Sequence, residues 1–440
     1  MAANSSPANT PSGAVSHGRD VYIWGTFCFL LIVSIIELFS ASSQEVHVGD
    51  IYGPIIRHGR FLLMGVLIML GIERVHFRVL YHAIPIFVIV SILMMIWVLI
   101  GGVRVNGVKR AFMLGSIMVL PAEFLKLSVA LGIAWILSRT QIKVNGTNDV
   151  SWLGVILSSV LVLVGSLLLF NQGLTNTLLL MSIALSMMII GGISWRKIGI
   201  TFGVYFILGL CAMGIKAAAS SDVPPTRQDT LLAQINQEPI RSTADKDNRM
   251  HTWSARIERH FRLNKSGDPI DDENKQEQLS FIAQARGGLS GVGLGNSRET
   301  SRLPLAFSDY IFAIIVEELG SIIAIGILCL YLFLLGRAGR LAQVFNSTFA
   351  TFLVTGCSLV ICLQALFHVA IVVGVFPVSG QPLPLISKGG TSIIATSIAL
   401  GVMLSCSRWA ARRHDSSDIQ RQELNALNKN IASKNPNVSK

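Results

Sequence analysis

The chain has 440 residues, of which 51% are hydrophobic and only 14% charged, with a formal net charge of +11 and a mean hydropathy of +0.58. That is far more apolar surface than one soluble core can bury, which excludes an ordinary soluble domain. The basic residues are scattered through short loops and the two tails without an aromatic-interleaved patch, so the charge does not point to nucleic acid.

Met1 to Gly18 is rich in Ala, Ser, Pro and Asn and carries no apolar run, so no cleavable signal is expected and residues 1–20 read as a disordered tail. Apolar windows of about 20 residues then give about ten membrane spans. They centre on Cys28 to Ser40, Phe61 to Ile72, Ile84 to Ile100, Ile117 to Leu137, Leu153 to Phe170, Leu178 to Ile193 and Ile200 to Ala217, and then on Ile311 to Leu335, Phe349 to Val375 and Ile393 to Cys406. The expected fold is an all-α polytopic membrane protein, with spans 1–7 in residues 21–217, a large polar loop in 218–304, spans 8–10 in 305–408, and a polar tail in 409–440. Cys28, Cys211, Cys329, Cys357, Cys362 and Cys406 all fall in apolar runs, where they read as small hydrophobes, not as disulfide partners or metal ligands.

An even span count puts both termini on one side. Arg74, Arg78, Arg139, Lys143, Arg196, Lys197, Arg337, Arg340, Arg408, Arg412 and Arg413 gather there, so by the positive-inside rule that side is cytoplasmic and the 218–304 loop faces outward. Arg57, Arg60, Arg104, Lys109, Arg110 and Lys388 run against the rule on the outward side. Cations held there fit either an anionic ligand or the phosphates of lipid headgroups.

Three stretches can carry chemistry. In Asn106 to Leu127 the spacing puts Glu123 and Lys126 on one helical face within a span, where each charge would cost about 2.5–3.5 kcal/mol if unpaired. That face therefore points into protein, either as an ion pair locking two helices or as a ligand contact. Phe376 to Ser392, FPVSGQPLPLISKGGTS, has three prolines and three glycines at membrane depth, so its backbone is broken and must be buried in protein or line a cavity; Ser387 and Lys388 lie in it. The polar loop holds Arg256, Arg259, Asp268, Asp271, Asp272 and Glu273, then a glycine-rich block from Gly287 to Gly295, and ends near Asp309 as the chain turns apolar again. An outward carboxylate there is placed to act as a general base, though acids in a loop are more often only solvated.

These stretches resemble the signatures of the SEDS family (shape, elongation, division and sporulation). Asn106 to Lys126 is similar to NGxxRW…PSExxK, Arg286 to Gly320 to GGxxGxGLGNS…LPxxxTDFIFAxxxEELG, and Phe376 to Ser392 to LPVTGxPLPxISxGGSS. The likeness covers nearly the whole chain and is greater to the division branch, FtsW, than to the elongation branch, RodA. It implies a peptidoglycan glycosyltransferase that polymerises lipid II in the bacterial inner membrane at the division site, beside a class B penicillin-binding protein and other division proteins. The family's essential aspartate lies upstream of the glycine block and is often followed by proline, which ranks Asp268, before Pro269, first, then Asp272 and Asp271. Arg110, Lys109, Glu123, Lys126, Arg256, Asp309, Ser387 and Lys388 are the substrate-binding candidates; no cofactor is required by the pattern, and a divalent cation on the pyrophosphate stays open. Ala111, Ala122, Leu305, His368 and Lys388 depart from the usual family residues Trp, Ser, Glu, Asn and Tyr or Met. A lipid II flippase, or a scaffold that has lost catalysis, are the alternatives; a transporter has no need of the loop aspartate.

Overall fold

The computed structural model describes residues 20–41, 53–105, 108–115, 117–144, 147–170, 172–205, 274–303, 306–345 and 347–410. The helices are α1 (Val21–Ala41), α2 (Gly53–Arg74), α3 (Phe77–Gly101), α4 (Pro121–Thr140), α5 (Trp152–Phe170), α6 (Leu174–Ile190), α7 (195–205), α8 (Lys275–Gly287), α9 (Ile311–Val344), α10 (Thr348–Val372) and α11 (Gly390–Ala410). Among the described residues, eight of these are long and apolar enough to cross a membrane, and α6 is a shorter apolar helix. The protein is a multi-pass membrane protein. The expected window at Ile200 to Ala217 runs past residue 205 and lies largely outside the described residues.

Which helices sit at the centre follows from their sequences. α4 carries Ser, Gly and Ala among its leucines and is buried along nearly its whole length, as are α10 and α11. α2 and α3 instead present Leu63, Leu67, Ile86, Ile89, Leu93 and Trp97 outward, a face suited to lipid tails. α10 packs against α9, α4 and α6, so α4 and α10 form the axis on which the other elements are hung.

Two small sheets interrupt the helical pattern. β1 (Val103–Val105), β2 (Val108–Leu114) and β3 (Ile117–Val119) form an antiparallel meander between α3 and α4. The span expected from Ile117 therefore begins at Pro121, because Ile117–Val119 are spent on the strand that pairs with Phe112–Leu114, and Pro121 opens the helix where its missing N–H costs nothing. β4 (Gln141–Val144) and β5 (Thr147–Val150) make a hairpin between α4 and α5. Its acid Asp149 takes the Lys197 ammonium at 2.7 Å. Lys197 also donates to the Val150 carbonyl at 2.6 Å, joining the hairpin to the start of α7.

α9 has 34 residues but is not one straight rod, since Gly320 adopts φ 85°, ψ 164° and divides it. The short piece ahead of the kink ends in Glu317, Glu318 and Leu319. The glycine block lies against that kink through hydrogen bonds from Val292 N to Glu317 O, Gly293 N to Glu318 O and Ser321 N to Gly288 O. Methyl groups on Gly287, Gly291 or Gly320 would meet backbone atoms at 2.0, 2.2 and 2.3 Å, so these glycines are required by close backbone approach. At the opposite end of the bundle Asp20 caps α1 and binds Arg337 of α9 at 2.7 Å, and Ser407 of α11 donates to the same carboxylate.

Candidate functional site

α10 stops at Val372, and α11 does not begin until Gly390. The broken segment between them satisfies only part of its own backbone, and side chains of α9 and α10 bind carbonyls that it leaves over. Gln364 Nε2 donates to Pro382 O at 3.2 Å and Tyr331 Oη to Pro384 O at 2.6 Å. His368 Nδ1 lies 2.6 Å from Gln381 O; a carbonyl can only accept, so the neutral ring carries its proton on Nδ1. Leu383, Leu385, Ile386 and Ser387 are buried, and Leu385 has φ 65°. The segment is thus a fixed non-helical wall inside the protein, as the prolines and glycines in its sequence require.

The same segment is pinned to the turn that precedes α9. Lys388 N donates to Phe307 O at 2.9 Å, Ser387 Oγ donates to Ser308 O at 2.7 Å, and Leu383 N donates back to Ser387 Oγ at 2.7 Å. Asp309 stands next in that turn, with Ser308 Oγ donating to its Oδ1 at 2.9 Å. A methyl group on Gly380 would fall 2.8 Å from Asp309 Oδ2, so a side chain there would have to push this carboxylate aside. Burial raises the Asp309 pKa above the ordinary aspartate value, opposed by the Ser308 hydroxyl and by the charge of Arg110 on β2. Asp309, Arg110, Ser387 and Lys388 are therefore gathered at one place, where β2, the α9 turn and the broken segment converge.

Glu123 and Lys126 lie deeper. The Lys126 ammonium is 0% exposed and donates to Glu123 Oε1 at 2.8 Å and Gln364 Oε1 at 3.4 Å, while Gln364 Nε2 donates to Glu123 Oε2 at 3.0 Å. The pair closes into a ring with one amide of α10, and that amide also holds Pro382. Lys109 is directed elsewhere, donating to the last carbonyls of α3 at Leu99 (3.4 Å) and Ile100 (2.7 Å). Asp268, Asp271, Asp272 and Arg256 lie outside the described residues.

Sequence reasoning passed over several residues that the fold puts beside this place. Gln364 was one amide in a long apolar run, with no spacing to single it out. His58, 3% exposed, meets Ser34 of α1 at 3.0 Å and lies within reach of the Lys388 charge. Glu317 is fully buried and accepts from Arg286 Nη1 (2.8 Å), Ser297 Oγ (2.5 Å) and Arg298 N (3.1 Å), so it knots α8 and the glycine block to α9. Among the described residues no group of three or more His, Cys, Asp or Glu side chains is gathered to hold a metal.

Comparison with known proteins agrees with the fold. A family model described as cell cycle protein, FTSW_RODA_SPOVE, matches residues 20–412. A protein of Nitrosomonas europaea named probable peptidoglycan glycosyltransferase FtsW is 27% identical over 435 residues, 96% of this chain and 98% of that protein. One of Coxiella burnetii with the same name is 28% identical over 87% of this chain and 94% of its own. Among solved structures, a chain of a peptidoglycan synthase complex that coordinates polymerization and crosslinking matches with a TM-score of 0.61 at 21% identity, covering 89% of this chain and 98% of that one. The rod shape determining protein RodA of Thermus thermophilus matches with a TM-score of 0.58 at 20% identity, covering 89% and 97%.

Proposed function

The chain belongs to the FtsW/RodA/SpoVE family of cell cycle proteins, and from that premise we propose that it is a peptidoglycan glycosyltransferase that polymerises lipid II into glycan strands during cell division. Its place is the bacterial inner membrane, with both termini cytoplasmic and the 218–304 loop outside. It works with a class B penicillin-binding protein and other division proteins.

The observation that carries this reading is the meeting of Arg110, Asp309, Ser387 and Lys388 on a rigid, non-helical wall at the end of the bundle from which the large loop departs. Lipid II brings a pyrophosphate and a disaccharide to a membrane surface. An enzyme acting on it needs cations at headgroup depth and a base beside them.

In the proposed reaction the 4-hydroxyl oxygen of an incoming lipid II attacks the anomeric carbon of the lipid-linked strand. Its proton passes to Asp268, with Asp272 and then Asp271 as the other candidates. The bond from the anomeric carbon to the phosphate oxygen breaks, and undecaprenyl pyrophosphate leaves with the electron pair. A single displacement inverts the anomeric centre. Arg110, Lys388 and Arg256 offset the charge on the departing pyrophosphate. Asp309 orients Arg110, and Lys109 fixes the sheet on which Arg110 stands. Glu123 and Lys126 act through Gln364, which holds the Pro382 carbonyl and with it the wall.

The test is polymerisation of purified lipid II by the full chain with its cognate class B penicillin-binding protein, comparing wild type with Asp268→Ala, Asp271→Ala and Asp272→Ala. Loss of one general base is expected to cost about 100- to 10,000-fold in rate, with complex formation unchanged. Full activity in all three variants would remove the loop aspartates from the mechanism. An inactive wild type would favour a flippase or a scaffold.

A further inference from the structure

The β1–β2–β3 sheet is basic at one end and apolar at the other. Between β1 and β2, Arg104 pairs with Lys109 and Val103 with Ala111, so Arg110 is an extra residue that the ladder leaves out. Such a bulge re-aims its side chain away from the regular pleat. Beyond it the pairing with β3 is regular, Phe112 opposite Val119, Met113 opposite Met118 and Leu114 opposite Ile117. Opposed residues, and residues two apart along a strand, share a face. Phe112, Leu114, Ile117 and Val119 therefore make one apolar surface, and Met113 and Met118 lie on the other.

The tip of this hairpin is uncovered. Leu114 is 67% exposed, Met113 51%, Met118 44% and Ile117 38%. Apolar side chains exposed on both faces of one tip mark a surface for an apolar partner. The base, by contrast, is built into the bundle. Ala111 is buried, Lys109 holds the last carbonyls of α3, and Leu120 N, just past β3, donates to Thr391 Oγ1 at 3.1 Å. Thr391 is in the first turn of α11, directly after the wall that ends in Ser387 and Lys388. The hairpin thus springs from the wall, with Arg110 at its base and about 13 Å of strand from there to Leu114.

A ligand that matches this order has an anionic head and a long apolar tail. On the reading that the substrate is lipid II, on which this inference rests, we propose that the hairpin is the seat of its polyprenyl chain. The pyrophosphate lies at Arg110 and Lys388, and the isoprenoid units next to it lie along Phe112, Leu114, Ile117 and Val119. Met113 and Met118 sink into the surrounding lipid and hold the hairpin at the membrane surface. An ordinary phospholipid would meet the tip alone. An apolar surface that runs back from the tip to a cation at the base suits a chain whose head enters the site.

The experiment compares Leu114→benzoylphenylalanine with Ile86→benzoylphenylalanine, the second on the lipid-facing side of α3, in the full-length protein. Each is irradiated in nanodiscs of phosphatidylethanolamine and phosphatidylglycerol with undecaprenyl pyrophosphate as the probe, and the adducts are identified by mass spectrometry. At position 114 the adducts are expected to be enriched in the probe over its share of the lipid, and at position 86 to follow that share. Adding Arg110→Gln is expected to abolish the enrichment at 114. Adducts at 114 that follow the bulk composition would mean contact with membrane lipid only and overturn the proposal. So would equal enrichment at both positions, or enrichment that survives Arg110→Gln; the comparison of 114 with 86 decides if the Arg110 variant fails to fold. Polymerisation of lipid II by wild type without enrichment at 114 removes this inference and leaves the polymerase. Enrichment at 114 in a protein that does not polymerise removes the polymerase and leaves the seat for the chain.

Discussion

Gln364 of α10 binds Glu123 of α4 at 3.0 Å and, through the same amide group, receives Lys126 at 3.4 Å. The amide gives Glu123 a second donor and Lys126 a second acceptor, so the two charges are buried against each other and against one shared amide. Glu123→Ala strands the ammonium of Lys126 in the core and is expected to cost about 3–5 kcal/mol. The double variant Glu123→Leu/Lys126→Met removes both charges and is expected to recover most of that loss. Thermal unfolding of the purified variants in one detergent measures both. A double variant as unstable as Glu123→Ala would show that the ring is needed as a whole.

Gly291 has φ 78° and lies so near the Glu318 carbonyl that a methyl group would come within 2.2 Å of it. Gly291→Ala adds left-handed strain of about 1–3 kcal/mol to that clash. The expected result is release of the glycine block from α9, read as faster proteolysis between α8 and α9 while the membrane helices stay folded. A cleavage rate equal to wild type would mean that the block docks by other contacts.

Asp309 has a raised pKa because burial outweighs the Ser308 hydroxyl and the Arg110 charge. An acid shifted in this direction costs stability when ionised. That cost is present above the folded-state value and fades as pH falls below the unfolded value of about 3.9. Asp309→Asn is therefore expected to be at least as stable as wild type at neutral pH and to lose that advantage in acid. Arg110→Gln removes an opposing charge and is expected to move the pH-sensitive range upward. Melting temperatures measured across the pH range for the three proteins test both statements, and an Asp309→Asn curve parallel to wild type would refute them.

The membrane helices were legible because lipid demands long apolar runs, and such runs are visible in a single sequence. The non-helical wall was legible for the related reason that FPVSGQPLPLISKGGTS cannot be helical. The β1–β2–β3 sheet was not, because its strands alternate too briefly, and Ile117–Val119 continue without a break into the apolar sequence of α4. Gln364 and Glu37 escaped notice for a different reason. Each is one polar residue in an apolar helix, and its importance lies in its surroundings: Gln364 meets Glu123, and Glu37 is buried with no hydrogen-bond partner among the described residues. Composition places such residues in the core but does not say what they face.

Asp149 tests the opposite sign of linkage at the other end of the bundle. Its pKa is lowered, first by the hydrogen bond from Lys197, with the N–H groups of Val150 and Ser194 and the Lys197 charge adding to it. A lowered acid contributes stability above its unfolded value, about 3.9, and loses it as pH falls through the folded value. Lys197→Met is therefore expected to melt below wild type at neutral pH, with the gap narrowing as Asp149 is protonated. Lys197 also donates to the Val150 carbonyl at 2.6 Å, a bond that acid does not remove. The part of the gap that survives at low pH then measures the carbonyl contact, and the part that disappears measures the ion pair. If the gap stayed constant across the whole range, the carbonyl contact alone would join the hairpin to α7.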